Sequence, residues 1–274
     1  MVATQVFAAI VILGGLLFFI PKWKNRYLRN KPFPSQWRSI LMANLPIYAA
    51  LNEADKDKLC QLINVFIASK RFVGCGGQEI TDEIRVTISA EACLLLLRQG
   101  WSVYPKLYSV LVYPSSFIVE RDQQREDGTV AMQQDHLLGE SWSNGKVILS
   151  WDDVLTGVSN FNDGHNVVLH EFAHQLDTAS GAANGAPPLR RNSYASWATV
   201  LTKEFKQLKW RRIKRHKSVM AKYGATNPAE FFAVATETFF EKPRQLYKKH
   251  PQLFEELERY YGVDPRDWQA AINS

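Results

Sequence analysis

The chain has 274 residues, 46% of them hydrophobic and 22% charged, with a formal net charge of +6. That composition excludes a disordered tail or a fixed-period repeat and supplies the core of one large domain or two small ones. The positive excess is mild and partly gathered in two local runs, so by itself it gives no reason to expect nucleic-acid binding.

The first 20 residues, MVATQVFAAIVILGGLLFFI, contain no charged side chain. As a helix they would span about 30 Å, the thickness of a bilayer's hydrocarbon core. Lys22, Lys24, Arg26, Arg29 and Lys31 follow, with Trp23 and Tyr27 suited to the headgroup region. A cleaved signal peptide would carry its basic residues before the apolar run, not after it. Residues 1–21 are therefore expected to anchor the chain in the inner membrane as a single pass. The positive-inside rule then turns the bulk of the chain to the cytoplasm. Three cysteines without a CxxC pair fit a reducing compartment and argue against a disulfide framework or a local cysteine zinc cage.

Residues 22–44 form a basic, proline-containing linker in this reading, and 45–104 a helical N-terminal part. Between Leu51 and Arg71, the spacing of Leu59, Leu62, Ile63 and Phe66 predicts an amphipathic helix. VGCGGQ makes a turn, with Cys75 a small buried side chain in it. A second helix starts near Thr81, with Asp82 and Glu83 at its positive end and Ile84, Ile88, Ala92 and Leu95 on its buried stripe. Cys93 belongs to the core.

Residues 105–274 form the remaining part of the chain. KLYSVLVYPSSFIV, from Lys106 to Val119, reads as a strand, and GESWSNGKVILSW as a hairpin turning at Asn144-Gly145. That hairpin offers an edge strand against which an extended peptide could lie. From Asn166 onward the pattern is mainly helical. The expected fold is α+β: a small sheet followed by helices carrying polar residues, preceded by helices and a transmembrane helix.

His170, Glu171 and His174 supply that motif within VVLHEFAHQLD. A helix turns about 100° per residue, which leaves His174 about 40° round from His170 and one turn along. Two imidazoles so placed can converge on one Zn2+. Val168, Leu169, Phe172, Ala173 and Leu176 fall on the opposite, core-facing side. Glu171 projects beside the metal, as suits a general base. Such a site needs a third protein ligand and an open position. In NPAEFFAVATETFFEKP, Asn227 caps a helix, Pro228 fits its first turn, and Glu230 and Glu237 share a face. Asp177 shares the face of the two histidines. Spacing leaves Glu230, Glu237 and Asp177 all open as the third ligand.

LHEFAHQLD followed by YGATNPAEFFAVATETFFEKP resembles the Mlc titration factor A family of zinc metallopeptidases. The resemblance extends over GCGGQEITDE, ACLLLL, VLVYP and GESWSNGKVILSW, in all from Leu45 to Pro265. It is also similar to the catalytic domain of anthrax lethal factor. The resemblance implies a zincin-like metallopeptidase domain around the H-E-x-x-H helix, with residues 105–274 as its catalytic part, zinc held by His170, His174 and Glu230, Glu171 as general base, and Tyr223 near the reacting carbonyl. Glu237 and Asp177 then become groups that orient the histidines. It implies an aminopeptidase-like activity on a peptide or protein substrate, and binding of a transcriptional repressor of sugar uptake. The apolar segment and basic run at residues 1–31 are not part of the founding member's pattern. The second basic run, KWRRIKRHK from Lys209 to Lys217, reads as a solvated helix face or loop, with acidic lipid or nucleic acid as the alternatives.

Overall fold

The computed structural model describes residues 23–272, apart from 101, 116, 125–129, 138, 143 and 144. Both helices that the apolar spacing predicts after residue 44 form where expected. α1 (Ser35–Asn44) precedes α2 (Glu53–Ser69), which opens on an Asn52 cap whose side chain accepts from the Asp55 N–H. Leu59, Leu62, Ile63 and Phe66 line its fully buried side. α1 lies within the stretch expected to be a linker. Trp37 Nε1 donates to Asp82 at 2.8 Å and Asn44 Nδ2 to Thr87 at 2.9 Å, which fixes α1 against α3 (Asp82–Leu94). The Thr81 hydroxyl caps α3 by accepting from Ile84 N–H.

The main sheet has the strand order β1-β2-β6-β5. β1 (Arg71–Gly74), β2 (Ser109–Tyr113) and β6 (Lys146–Ser150) are parallel, and β5 (Gly139–Trp142) closes one edge antiparallel to β6. β6 lies between two strands, and Val147, Ile148 and Leu149 are all buried, as an interior strand covered on both faces requires. β5 and β6 pair as the predicted hairpin; of its expected turn residues Gly145 is described and Asn144 lies outside the described residues. Gly145 has φ +72° and is packed under Lys106 O, where a Cβ would come within 2.5 Å.

The strand expected over 106–119 is two. β2 ends at Tyr113, immediately before Pro114, which has no N–H to give to a ladder. β3 (Phe117–Gln124) then pairs antiparallel with β4 (Val130–Leu137) in a separate two-stranded sheet, Phe117 opposite Leu137 and Gln124 opposite Val130. Sequence patterning overlooks this hairpin because its strands are largely polar. β1 escapes it too, being four residues long between a helix and a glycine turn.

Helices fill the rest: α4 (Trp151–Ser159), α5 (Val167–Asp177), α6 (Tyr194–Ile213), α7 (Pro228–Glu241), α8 (Pro243–Lys249), α9 (Pro251–Tyr261) and α10 (Pro265–Ile272). α7 is buried continuously from Phe231 to Glu241, which explains its near-unbroken apolar sequence. α5 packs against α7, α3, β5 and β6. Its apolar back enters an aromatic cluster, with the Phe172 ring 4.9 Å from Tyr104 and 5.6 Å from Phe66. Cys60 and Cys93 are buried and Cys75 is half-exposed, less enclosed than its glycine turn implied.

Among the described residues no helix is long and apolar enough to cross a membrane. They therefore lend the expected anchor no support; residues 1–21 themselves lie outside them.

Candidate metal centre

α5 and α7 bring three of the expected side chains together. His170 and His174 project from one face of α5, and Glu230 from the first turn of α7. The α7 turn is fixed by its cap: the Asn227 side chain accepts from the Glu230 N–H at 2.9 Å. His170 Nε2 lies 3.2 Å from His174 Nε2 and 3.0 Å from Glu230 Oε2, and His174 Nε2 lies 3.5 Å from the same oxygen. These three side chains could hold a metal ion. A tetrahedral zinc with bonds of about 2.0–2.1 Å sets its ligand atoms about 3.3 Å apart, and all three separations fall near that value. Three lone-pair atoms this close repel one another unless something positive lies among them. The side chains keep 12–17% exposure, so the cluster opens to solvent on one side.

The local electrostatics favour a cation there. Burial alone would lower the His170 pKa. The carboxylates of Glu237 and Glu230 outweigh it and push the imidazole well above its usual range. Burial would raise the Glu230 carboxyl, but the two histidines hold it down at about 2. Glu171 behaves oppositely. It is only 3% exposed, and its Oε2 is buried with no hydrogen-bond partner among the described residues. Burial pushes its carboxyl up to about 7, against the pull of His170 and His174. A carboxyl poised near neutrality beside this cluster is suited to proton transfer.

Glu237 is not among the converging atoms. Its Oε1 takes the Nδ1 side of His170 at 2.7 Å, which leaves Nε2 facing Glu230 and His174. Its Oε2 accepts from the Asn166 N–H at 2.8 Å. Asp177 is also set apart. Fully buried, it accepts from the Gly185 N–H at 2.7 Å. Gly185 has φ +77°, and a Cβ there would lie 2.5 Å from Pro228 O. Asp177 thus fastens the loop after α5 onto the start of α7, holding in register the two helices that carry the cluster. Tyr223, in the 3-10 turn Lys222–Ala225, is 59% exposed with its ring 6.1 Å from His170, at the mouth of the cluster.

Sequence reasoning passed over the support behind His170. Asn166 caps α5 by accepting from Leu169 N–H at 2.9 Å, and its Nδ2 donates to Glu91 at 2.7 Å. Glu241 Oε2 accepts from Gly164 and His165 N–H at 2.8 and 3.1 Å. The Asn before an apolar periodic run was a readable cap signal. Nothing local marked Glu91 or Glu241, whose partners are more than 70 residues away.

Burial pushes Glu91 up to about 8 and Glu241 up to about 9, the latter also through repulsion by Glu91 and Glu237. A carboxyl with a raised folded-state pKa holds its proton in the folded chain and releases it on unfolding. Its contribution is complete below its unfolded value of 4.5 and is lost as pH rises through about 8 and 9. Thermal stability should therefore fall as pH rises from about 4.5 to about 8 and 9, and the contribution of this pair should level off above that window. The double variant Glu91→Gln, Glu241→Gln, which mimics the protonated pair, should show a shallower fall in a melting-temperature series. Identical slopes would contradict the assignment.

A model of the family described as glucose-regulated metallo-peptidase M90 matches residues 20–262. An uncharacterised protein of Synechocystis sp. is 44% identical over 265 residues, 93% of this chain and 96% of that protein. Mlc titration factor A of Yersinia pestis is 32% identical over 242 residues, 86% of this chain and 88% of that protein. The protein of the same name from Yersinia pseudotuberculosis matches with the same figures.

Proposed function

Since the chain belongs to the glucose-regulated metallo-peptidase M90 family, we propose that it is a zinc-dependent peptidase of aminopeptidase type. In this reading His170, His174 and Glu230 hold the ion, Glu171 is the general base and Tyr223 assists at the carbonyl. The observation that carries the reading is the convergence of two imidazole nitrogens and one carboxylate oxygen at separations of 3.0–3.5 Å beside a buried glutamate whose Oε2 has no hydrogen-bond partner among the described residues.

When bound, Zn2+ supplies Lewis acidity, drawing the pKa of a water toward about 7 and polarising a carbonyl. The chain's own groups do the rest. Glu171 takes the proton of the attacking water and returns it to the leaving amine. Tyr223 donates a hydrogen bond to the oxygen on which charge develops, a contribution of about 3 kcal/mol when well aimed. β5, at the sheet edge and packed beside α5, aligns an extended peptide. Glu237 fixes the His170 ring through Nδ1. Glu237→Gln should weaken metal binding by about 10–100-fold with the fold retained, as measured by competition with a chromogenic chelator. An unchanged affinity would remove that role.

The full chain, loaded with zinc and incubated with a synthetic peptide library, should release products that mass spectrometry assigns to cleavage near the amino terminus. A fully loaded chain that cleaves nothing contradicts the peptidase reading. Such a result would favour a second one, suggested by the name of the Yersinia relatives: binding of an Mlc-type transcriptional repressor. The two readings separate on Glu171→Gln, which should keep repressor binding and lose hydrolysis.

Attachment to the inner membrane through residues 1–21 belongs to the same proposal. It rests on the uncharged first 20 residues and on a family match that starts only at residue 20. Resistance of the membrane-bound chain to alkaline carbonate extraction tests it; complete release would oppose it.

A further inference from the structure

The C-terminal end of α6 carries a surface that the metal centre does not use. Lys209, Arg211, Arg212, Lys214, Arg215 and Lys217 lie within nine residues that contain no acidic side chain. None of them is in an ion pair among the described residues. Two large apolar side chains stand out among them, Trp210 at 50% exposure and Ile213 at 74%.

The segment is folded into a defined knuckle. The Trp210 ring lies 4.9 Å from that of His216, and Arg211 Nη1 donates to Lys217 O at 2.9 Å. His216 N–H donates to Arg211 O at 2.9 Å, turning the chain back on the helix. Arg215 has φ +56°, in the left-handed region where a helix usually ends on glycine. An arginine held there keeps a cation at the tip at the expense of backbone strain.

We propose that this knuckle is a docking surface for an anionic lipid bilayer. Clustered lysine and arginine beside a tryptophan and an exposed aliphatic group match the interface of a negatively charged leaflet, where cations meet headgroups and apolar groups enter the acyl boundary. Ile213 decides between lipid and nucleic acid. It offers no stacking face and no hydrogen bond to a base, and it is the most exposed side chain of the pair. The same chemistry recurs just after the N-terminal apolar run, where Trp23 and Tyr27 are 77% and 71% exposed among Lys24, Arg26 and Arg29.

The knuckle is also tied to the mouth of the metal centre. Leu208 packs under Gly224, where a Cβ would stand 3.3 Å from Leu208 Cδ2, and Gly224 follows Tyr223 in its turn. Lipid contact at 210–217 therefore holds that turn close to the bilayer. The contact itself does not depend on the peptidase reading.

The test places an environment-sensitive fluorophore on the full chain at Ile213→Cys, in a Cys75→Ser background because Cys60 and Cys93 are buried. A control label goes at Glu53→Cys, a side chain 84% exposed on α2. Phosphatidylcholine vesicles containing about one-third phosphatidylglycerol should blue-shift the label at 213, and pure phosphatidylcholine should not. Salt at about 0.5 M should abolish the shift, and the control label should stay silent. Each cation near an anionic surface contributes roughly a fivefold factor, so Arg212→Gln with Lys214→Gln, which removes two cations, should raise the lipid needed for half the shift by about 30-fold.

This readout is local, so it is separable from insertion of residues 1–21. If the labelled chain does not fold, quenching of native tryptophan fluorescence by brominated anionic lipid, and its partial loss in Trp210→Phe, reads the same contact. No shift at 213, an equal shift with both vesicle types, or a shift produced by duplex DNA but not by vesicles would overturn the proposal.

Discussion

Replacement of Glu171 by glutamine is expected to lower peptide hydrolysis by about a hundred- to ten-thousand-fold while one equivalent of metal stays bound. The substitution preserves volume at a site that is only 3% exposed, so the fold has no reason to change. Glutamine cannot accept the water's proton, and that is the one step lost. Metal should stay because Glu171 lies about 100° round the helix from His170, to the side of the point where the ligand atoms meet. Burial, the main cause of the raised Glu171 pKa, also means that a neutral amide costs less to enclose than a charged carboxylate. The variant should melt no lower than the parent chain. Full activity in a pure preparation of it would end the assignment of the base.

His170→Ala should remove both metal and activity, and it should also destabilise the chain. His170 connects the ligand cluster to Glu237, whose Oε1 lies 2.7 Å from its Nδ1. Without the ring, a carboxylate on a fully enclosed stretch of α7 keeps only the Asn166 N–H of its two partners, a loss of up to about 3–5 kcal/mol for a buried pair. Glu230→Ala separates the two effects. It deletes a ligand atom but spares the backbone bond by which Asn227 caps α7. Its metal content should fall as far as in His170→Ala, with a much smaller drop in melting temperature. Equal destabilisation of both variants would mean that the Glu237 contact contributes little. Full metal content in either would remove that residue as a ligand.

The parts of the fold that could be read in advance are those in which one local signal decides the outcome. Leu59, Leu62, Ile63 and Phe66 recur at helical spacing and all are buried on α2. Thr81 and Asn227 precede helices and both cap them through their side chains. Asn144-Gly145 lies between the two strands it was expected to join. The spacing of His170 and His174 implied one shared face, and their Nε2 atoms do face each other.

What was not legible depends on tertiary placement. Spacing left Glu230, Glu237 and Asp177 all open as the third ligand, and only the packing of α7 on α5 brings Glu230 alone of the three among the histidine nitrogens. Asp177 is drawn instead to the Gly185 backbone, a partner that no periodicity reveals. Glu91 and Glu241 reach α5 across sequence separations of 75 and 77 residues. α1 was hidden in a basic, proline-containing stretch because its attachment comes from Asp82 and Thr87 of α3, beyond any local window. The polar strands of β3 and β4 carry too little hydrophobic alternation to announce themselves. Asp127-Gly128 in the intervening sequence was the one available signal.

The central claim is that a single divalent cation lies between α5 and α7. An anomalous-difference map collected at the zinc edge, from crystals of the zinc-loaded chain, tests it most directly. The account predicts one strong peak at about 2.0–2.2 Å from His170 Nε2, His174 Nε2 and a Glu230 carboxylate oxygen. A map with no peak there, or with zinc held by other side chains, contradicts it.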